Sequence, residues 1–436
     1  MHLFDVFYRF CIFVPLVLCI TVACSFICDA QLVKMLVALS VICCSFILLF
    51  LKFLNLLDSP STPRLHHSGS FFVKRVISKC PSLNQIYQPP KVWGMCGHIQ
   101  TAIYGKLGRW NCPRPNGVRQ EIKFPSGETA TFDIFEPLNV NGSKECCTIL
   151  CCPGICNSSE KKYVRTFVQF CIFRGYRVAV LNHIGSLPNV KLTSPRIFTY
   201  GDTKYFTAMV NFVMKAFPNS QFVVVGFSMG GNIACRYLAE DPSRQLPIKC
   251  AVSLCQGYDA VRSTTPLTKG YRRIYNYMVA ANFKKVLKPH WKELFQEQPN
   301  DFNSNENKPT FAVGSEFDEE KVKRATTMQE IEDGLLRHFD GHSSALDYIQ
   351  DSGCAHLIKN ISLPILLLNA EDDPLIVKDV HDVPHHYSCK QDKALFVTTK
   401  HGGHLGFYKG KWYRPDDTTL LEDVVLEYIE AVLQES

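Results

Sequence analysis

The stretch that most constrains the fold is Phe222-Val223-Val224-Val225-Gly226-Phe227-Ser228-Met229-Gly230-Gly231-Asn232. Its apolar first half reads as a buried strand, and from residue 231 to residue 238 apolar positions recur at helical spacing. Between the two stands Gly226-x-Ser228-x-Gly230. A chain that passes from strand to helix through so tight a turn has no room for side chains at the flanking glycines, and the turn lifts Ser228 above the strand end. The serine then sits at a helix N-terminus, where unpaired N–H groups favour developing negative charge. Strand, turn and helix together are the setting in which Gly-x-Ser-x-Gly forms a nucleophile elbow.

The surrounding sequence keeps the same rhythm. Strands are expected at 147–152, 176–181, 246–255, 364–370 and 394–398, and helices at 162–173, 203–217 and 420–433. Residues 121–124 and 131–135 read as a hairpin around Ser126-Gly127. Strands alternating with helices predict an α/β fold with a mostly parallel central sheet, right-handed crossovers and helices on both faces. Residues 257–350 break the pattern. They carry Tyr271, Tyr275, Tyr277 and Phe283 among the cations Lys284, Lys285 and Lys288, then a polar stretch at 300–308. This insertion reads as a helical cap over the strand ends, most of its aromatics packing the cap rather than lining an acyl pocket, its lysines on a solvated face. The domain organisation is then a membrane anchor at 1–57, a linker and lead-in at 58–118, core at 119–256, cap at 257–350 and core again at 351–436.

A nucleophilic serine needs a base, and the base needs an orienting group. Glu371-Asp372-Asp373-Pro374 follows the 364–370 strand, and His401-Gly402-Gly403-His404 follows the 394–398 strand. Both groups leave strand C-terminal ends on the sheet edge of the elbow, where open α/β sheets hold ligands. Of the two aspartates Asp373 is preferred, because Pro374 stiffens the turn beyond it; Asp372 reads as a turn or cap residue. Of the two histidines His404 is preferred, because Gly402-Gly403 lets its loop approach Ser228; His401 reads as a structural donor. The backbone N–H groups of Met229 and of Ile155, in the loop Pro153-Gly154-Ile155-Cys156-Asn157, are the expected oxyanion donors. His342 and Asp347 also match an H-x-x-x-x-D acyltransferase pattern, which arises readily by chance.

The N-terminus carries two apolar runs, 10–28 and 35–51, each near the length that spans a bilayer. The second is free of proline and bounded by Lys34 and Lys52, whose stems can reach the interface. The cations Arg64, Lys74, Arg75 and Lys79 that follow argue for a cytosolic domain. The sequons at Asn141, Asn157 and Asn360 argue for the other side. Composition excludes some classes: 46% hydrophobic and 20% charged residues rule out a disordered chain, and a net charge of +7 without a basic stripe argues against a nucleic-acid partner. The 20 cysteines, with no Cys-x-x-Cys spacing and several inside strand-like runs, read as buried free thiols rather than a disulfide framework or metal site.

Trp93-Gly94-Met95-Cys96-Gly97-His98-Ile99-Gln100-Thr101, Cys152-Pro153-Gly154-Ile155-Cys156-Asn157, Leu181-Asn182-His183-Ile184-Gly185, the 192–201 stretch, Gly226–Gly230 and His401–Phe407 together resemble the α/β-hydrolase-domain proteins of the acylglycerol-lipase group. The resemblance covers about residues 50–430 and places the family's triad on Ser228, Asp373 and His404. It implies an α/β-hydrolase fold, a signal-anchor with the catalytic domain on the non-cytosolic side, and a glycan at Asn157. A single-pass type II protein of the plasma membrane or endoplasmic reticulum is the expected arrangement. The expected activity is hydrolysis of lipid carboxylic esters, monoacylglycerols above all, with no metal or organic cofactor. The expected partners are a lipid ester substrate and a membrane, with no obligate protein partner. Acyl transfer on the same triad, and a catalytically silent receptor or scaffold, are the competing readings.

Overall fold

The computed structural model describes residues 30–53, 55, 58–106, 112–138, 147–295 and 317–435. The apolar run 10–28, the Asn141 sequon and the polar stretch 300–308 fall outside the described residues. The strands are β1 (Arg64–His66), β2 (Val118–Lys123), β3 (Thr129–Phe135), β4 (Cys147–Cys152), β5 (Arg177–Asn182), β6 (Gln221–Phe227), β7 (Ile248–Leu254), β8 (Ile365–Ala370) and β9 (Ala394–Thr399). The helices that matter here are α1 (Ala30–Phe53), α2 (Gly97–Lys106), α3 (Lys162–Phe173), α4 (Lys204–Ala216), α5 (Met229–Glu240), α6 (Arg273–Leu287) and α7 (Leu420–Glu435).

The nine strands form one sheet in the order β1-β9-β8-β7-β6-β4-β5-β3-β2. From β9 to β5 all neighbours are parallel, and antiparallel pairings finish both edges. Period-2 alternation distributes the side chains between two apolar layers. Along β6, Phe222 and Val224 join α4 (Phe206, Met209) and α5 (Ile233), while Val223 and Val225 join α3 (Phe167, Val168) and α7 (Val424, Val425). Burial on both faces is why this strand reads as an unbroken apolar run. Each such buried side chain contributes about 1.5–3 kcal/mol of transfer free energy. The described cysteines are free thiols, most of them buried in these layers. Burial pushes thiols such as Cys80 and Cys156 up to about 12, which leaves them unreactive.

Residues 58–118, expected as linker and lead-in, contribute several elements, three of which bear on the sheet and the site. β1 pairs with β9 at the sheet edge, with Leu65 opposite Val397. The helix Phe71–Ser78, capped by Ser70 accepting from the Val73 N–H, packs Val73 and Val76 into the α7 layer. Its Arg75 and the following Lys79 both pair with Glu435, and Arg64 pairs with Glu371 at 2.9 Å, so three of the four cations that would orient the anchor are engaged within the fold. The third element, α2, lies against the loop that carries His404.

Between β7 and β8 the chain leaves the sheet. Helix α6 turns Asn276, Ala280, Phe283 and Leu287 inward at helical spacing. The aromatics therefore divide by position. Phe283 lines a cavity, Tyr275 places its hydroxyl 2.5 Å from His98 Nδ1, and Tyr271 and Tyr277 face solvent. Helix α1 leaves Met35, Phe46 and Leu49 exposed, and Lys34–Lys52 is the one segment among the described residues long and apolar enough to cross a membrane.

Candidate active site

Ser228 occupies the turn between β6 and α5 with φ 53° and ψ −120°, a conformation that costs about 1–3 kcal/mol and persists because its surroundings impose it. A Cβ on Gly226 would lie 2.3 Å from the Gly230 carbonyl oxygen, and one on Gly230 would lie 2.1 Å from that of Cys152. The glycines flanking Ser228 are thus the condition for the turn.

His404 and Asp373 come to this serine from the ends of β9 and β8. His404 Nε2 lies 2.9 Å from Ser228 Oγ, and His404 Nδ1 lies 2.8 Å from Asp373 Oδ2. A carboxylate oxygen only accepts, so Nδ1 carries the hydrogen and Nε2 is left as an acceptor for the serine hydroxyl. Pro374 has no N–H to offer. The next two residues supply it instead, with Leu375 N–H and Ile376 N–H donating to Asp373 Oδ1 at 2.8 and 2.9 Å.

The loop holding His404 is fixed from a side that the chemistry-bearing motifs do not name. The His404 N–H donates to Thr101 Oγ1 at 2.8 Å, and that hydroxyl donates to the Gly97 carbonyl at 2.7 Å. A Cβ on Gly403, at φ +57°, would lie 2.3 Å from Gly97 O. Gly403 therefore serves close approach to α2, rather than to Ser228, while a Cβ on Gly402 would meet the Phe407 ring at 2.8 Å. Gly97 and Thr101 stand in one of the motif stretches quoted above, but without a role. Asp372 is more than a turn residue: it is half-buried and accepts from the Gly403 N–H at 2.8 Å, and desolvation raises its carboxyl above the usual range. His401 Nδ1 stands 3.6 Å from Asp372 Oδ2 and its Nε2 3.9 Å from Asp58 Oδ2, so its ring lies between these two carboxyl groups.

Met229 and Ile155 both border the cavity above Ser228. The loop bearing Ile155 is held by Tyr163, whose hydroxyl accepts from the Gly154 N–H at 2.9 Å, and by His183, whose Nε2 lies 2.9 Å from the Pro153 carbonyl. Asn157 also borders the cavity, and its Nδ2 donates to the Tyr163 hydroxyl at 3.2 Å. The nitrogen that a glycan would occupy is therefore turned towards a buried phenol. Ser159 of the same sequon is buried too, bonded through its hydroxyl to Asp133. Neither feature suits a glycan there. His342 and Asp347 approach to 3.6 Å, with His342 in a separate polar cleft beside Arg236, Glu240 and Asp340.

His183 carries a pH dependence. A carbonyl accepts only, so Nε2 must keep its hydrogen, and burial lowers the imidazole from 6.5 to about 4. The folded state then resists a proton that the unfolded chain accepts near pH 6.5, so this stability is present above that pH and is lost as pH falls towards 4. The full window is worth up to about 3 kcal/mol at about 1.4 kcal/mol per pH unit. In urea unfolding at pH 7 and pH 4.5, the wild type is expected to lose more stability than His183→Gln; equal losses would exclude the effect.

The cavity over Ser228 is lined chiefly by apolar side chains, among them Phe198, Val279, Phe283, Met328 and Leu336. Serine, imidazole and carboxyl group in series beneath such a cavity can form and resolve an acyl-enzyme on an apolar ester.

Comparison with known proteins gives an independent view. Residues 148–411 match the family model described as alpha/beta hydrolase fold. A Danio rerio protein named monoacylglycerol lipase ABHD2 is 44% identical over 361 residues, covering 82% of this chain and 83% of that protein. A Homo sapiens protein of the same name is 42% identical over 383 residues, covering 87% and 88%. A Drosophila melanogaster protein named abhydrolase domain-containing protein 2 is 34% identical over 386 residues, covering 88% and 93%.

Proposed function

The chain belongs to the α/β-hydrolase family, and from that premise we propose that it is a membrane-anchored serine hydrolase that cleaves carboxylic esters of lipids, with monoacylglycerols as the principal substrates. The observation that carries this reading is the continuous series from Ser228 Oγ through the His404 ring to Asp373 Oδ2, at 2.9 and 2.8 Å, opening on an apolar cavity.

In the proposed reaction Ser228 Oγ attacks the ester carbonyl carbon as His404 Nε2 takes the hydroxyl proton. Asp373 holds the ring in its Nδ1–H tautomer and stabilises the imidazolium. The N–H groups of Met229 and Ile155 receive the oxyanion, each such donor being worth about 10²–10³ in turnover. His404 then returns the proton to the leaving alkoxide, which departs as glycerol. Water enters, gives a proton to His404 and attacks the acyl carbon, and the fatty acid leaves as the Ser228 proton is restored. Residues 257–350 act as the cap that closes an acyl-chain site over the strand ends. Helix α1 keeps the domain at the bilayer in which such substrates dissolve, and the 44% and 42% identical relatives named as monoacylglycerol lipases support the choice of substrate.

A fluorophosphonate probe tests the reading directly, since the serine oxygen displaces fluoride from phosphorus only when a base activates it. The wild type is expected to label at residue 228 and to release fatty acid from a monoacylglycerol, while Ser228→Ala does neither. An unlabelled wild type would point to a silent scaffold, and transfer of the acyl group to an added alcohol without free acid would point to an acyltransferase.

A further inference from the structure

One carboxyl in the cavity takes no part in this chemistry. Glu332 begins a single π-helical turn, Glu332–Leu336, an irregularity that recurs at functional sites. It is 4% exposed, borders the cavity that holds Ser228 and His404, and its Oε2 has no hydrogen-bond partner among the described residues. The next residue behaves as an acid on a helix ordinarily does: Asp333 is half-exposed and paired with Lys321 and Arg337. The chain thus gives one acid to surface ion pairs and turns its neighbour among Met328, Leu336 and Phe283. Leaving a carboxyl there without a partner is costly, and a ligand that supplies the partner removes the cost.

The chemistry of that ligand follows from the state of the acid. Burial pushes the Glu332 carboxyl up to about 8, so at pH 7 the neutral form predominates and offers one O–H donor and one carbonyl acceptor. A neutral carboxyl has no charge with which to hold an ammonium group. It matches an uncharged group that both donates and accepts, and a hydroxyl does both. We propose that Glu332 is a specificity-determining residue that hydrogen-bonds a hydroxyl group of the lipid ester held in this cavity. The proposal rests on the lipid-ester reading above. Two sources have this chemistry: a free glycerol hydroxyl of a monoacylglycerol, or a hydroxyl on the acyl chain.

Three oleoyl-type esters separate them: 1-oleoylglycerol, ethyl oleate, and ethyl ricinoleate, which is ethyl oleate with a hydroxyl at carbon 12. Glu332→Gln keeps a donor and an acceptor, and Glu332→Met keeps the volume without them. Glu332→Met is expected to lower kcat/KM about tenfold or more for a hydroxylated ester, through KM, with ethyl oleate unchanged. Glu332→Gln stays within about threefold of wild type on all three. Selective loss on 1-oleoylglycerol identifies the glycerol hydroxyl, and selective loss on ethyl ricinoleate the chain hydroxyl. Equal loss on all three esters, or no loss on any, overturns the proposal, and unchanged fluorophosphonate labelling in both variants shows that the nucleophile is intact. Should the wild type hydrolyse none of the three, the lipase reading fails instead. The shift in Tm produced by 1-O-oleylglycerol against oleyl ethyl ether then decides on Glu332: a larger shift with the glycerol ether in wild type and Glu332→Gln, absent in Glu332→Met, upholds it, and equal shifts in all three proteins reject it.

Discussion

Asp373→Asn is expected to lower kcat about 10⁴-fold with little change in KM or in folding. The way the carboxylate is held makes the position this sensitive. Oδ1 accepts from two backbone N–H groups, those of Leu375 and Ile376 at 2.8 and 2.9 Å, and two donors require an oxygen there. The amide of an asparagine must therefore turn its nitrogen to the other side, where Asp373 Oδ2 now lies 2.8 Å from His404 Nδ1. An amide N–H facing Nδ1 drives the imidazole hydrogen to Nε2, and that nitrogen, 2.9 Å from Ser228 Oγ, loses the lone pair that accepts the serine proton. At about 1.4 kcal/mol per decade the loss amounts to about 5 kcal/mol of transition-state stabilisation. Ser228→Ala removes the nucleophile and is expected to cost about 10⁶-fold. Asp372→Asn, which alters a carboxylate bonded to the Gly403 N–H rather than to the reacting imidazole, should cost far less. Steady-state hydrolysis of a monoacylglycerol measures all three. A loss below tenfold in Asp373→Asn, or a greater loss in Asp372→Asn, sinks this assignment of the orienting acid.

The elements legible in the sequence are those whose reasons are local. Each of β4, β6 and β8 is an apolar run buried on both faces, and the ends of α3 match the periodic segment residue for residue. Ser228 is marked by glycines that the turn itself demands, and Asp373 by the proline that passes the donor role to the two residues beyond. Features set by distant parts of the chain left weaker traces. A three-residue strand such as β1 has no period to detect, and it exists because the edge of β9 is free to pair. Thr101 carries no local sign that it will hold the backbone of His404, 303 residues away. The glycines at 402 and 403 announced a close approach but not its targets, which are the Phe407 ring and α2 respectively. Asn157-Ser158-Ser159 satisfies the glycosylation pattern as text, while its burial depends on Tyr163 and Asp133. Glu332 reads as one acid among several on a helix, and only the packing of the 257–350 segment turns it into the cavity.

Gly230→Ala is expected to abolish soluble, active protein. The added Cβ would lie 2.1 Å from the carbonyl oxygen of Cys152 and 2.4 Å from that of Pro153, and both obstacles are backbone. Neither can withdraw cheaply. Cys152 ends β4, a central strand paired with β5 on one side and with β6 on the other, where it stands opposite Gly226. Pro153 begins the loop that carries Ile155, and its carbonyl is tied to His183. Ordinary overpacking of a core costs about 1–3 kcal/mol because side chains rotate away. Here a central strand or the elbow itself must move, and the cost approaches the about 5–15 kcal/mol that holds a domain together. Any protein that accommodates the methyl by shifting the 153–157 loop also displaces Ile155, the proposed oxyanion donor, and is expected to lose a further about 10²–10³ in turnover. Gly231→Ala is the control one residue on: its Cβ meets the Ser253 hydroxyl at 2.5 Å, a side chain able to rotate. It should fold and label with fluorophosphonate at a modestly lower Tm. Soluble yield, Tm and labelling of the two variants side by side check the argument. A Gly230→Ala protein with wild-type Tm and turnover would mean that the strand, the turn and the loop do not meet at that carbonyl, and with that the geometric basis for an activated Ser228 would be lost.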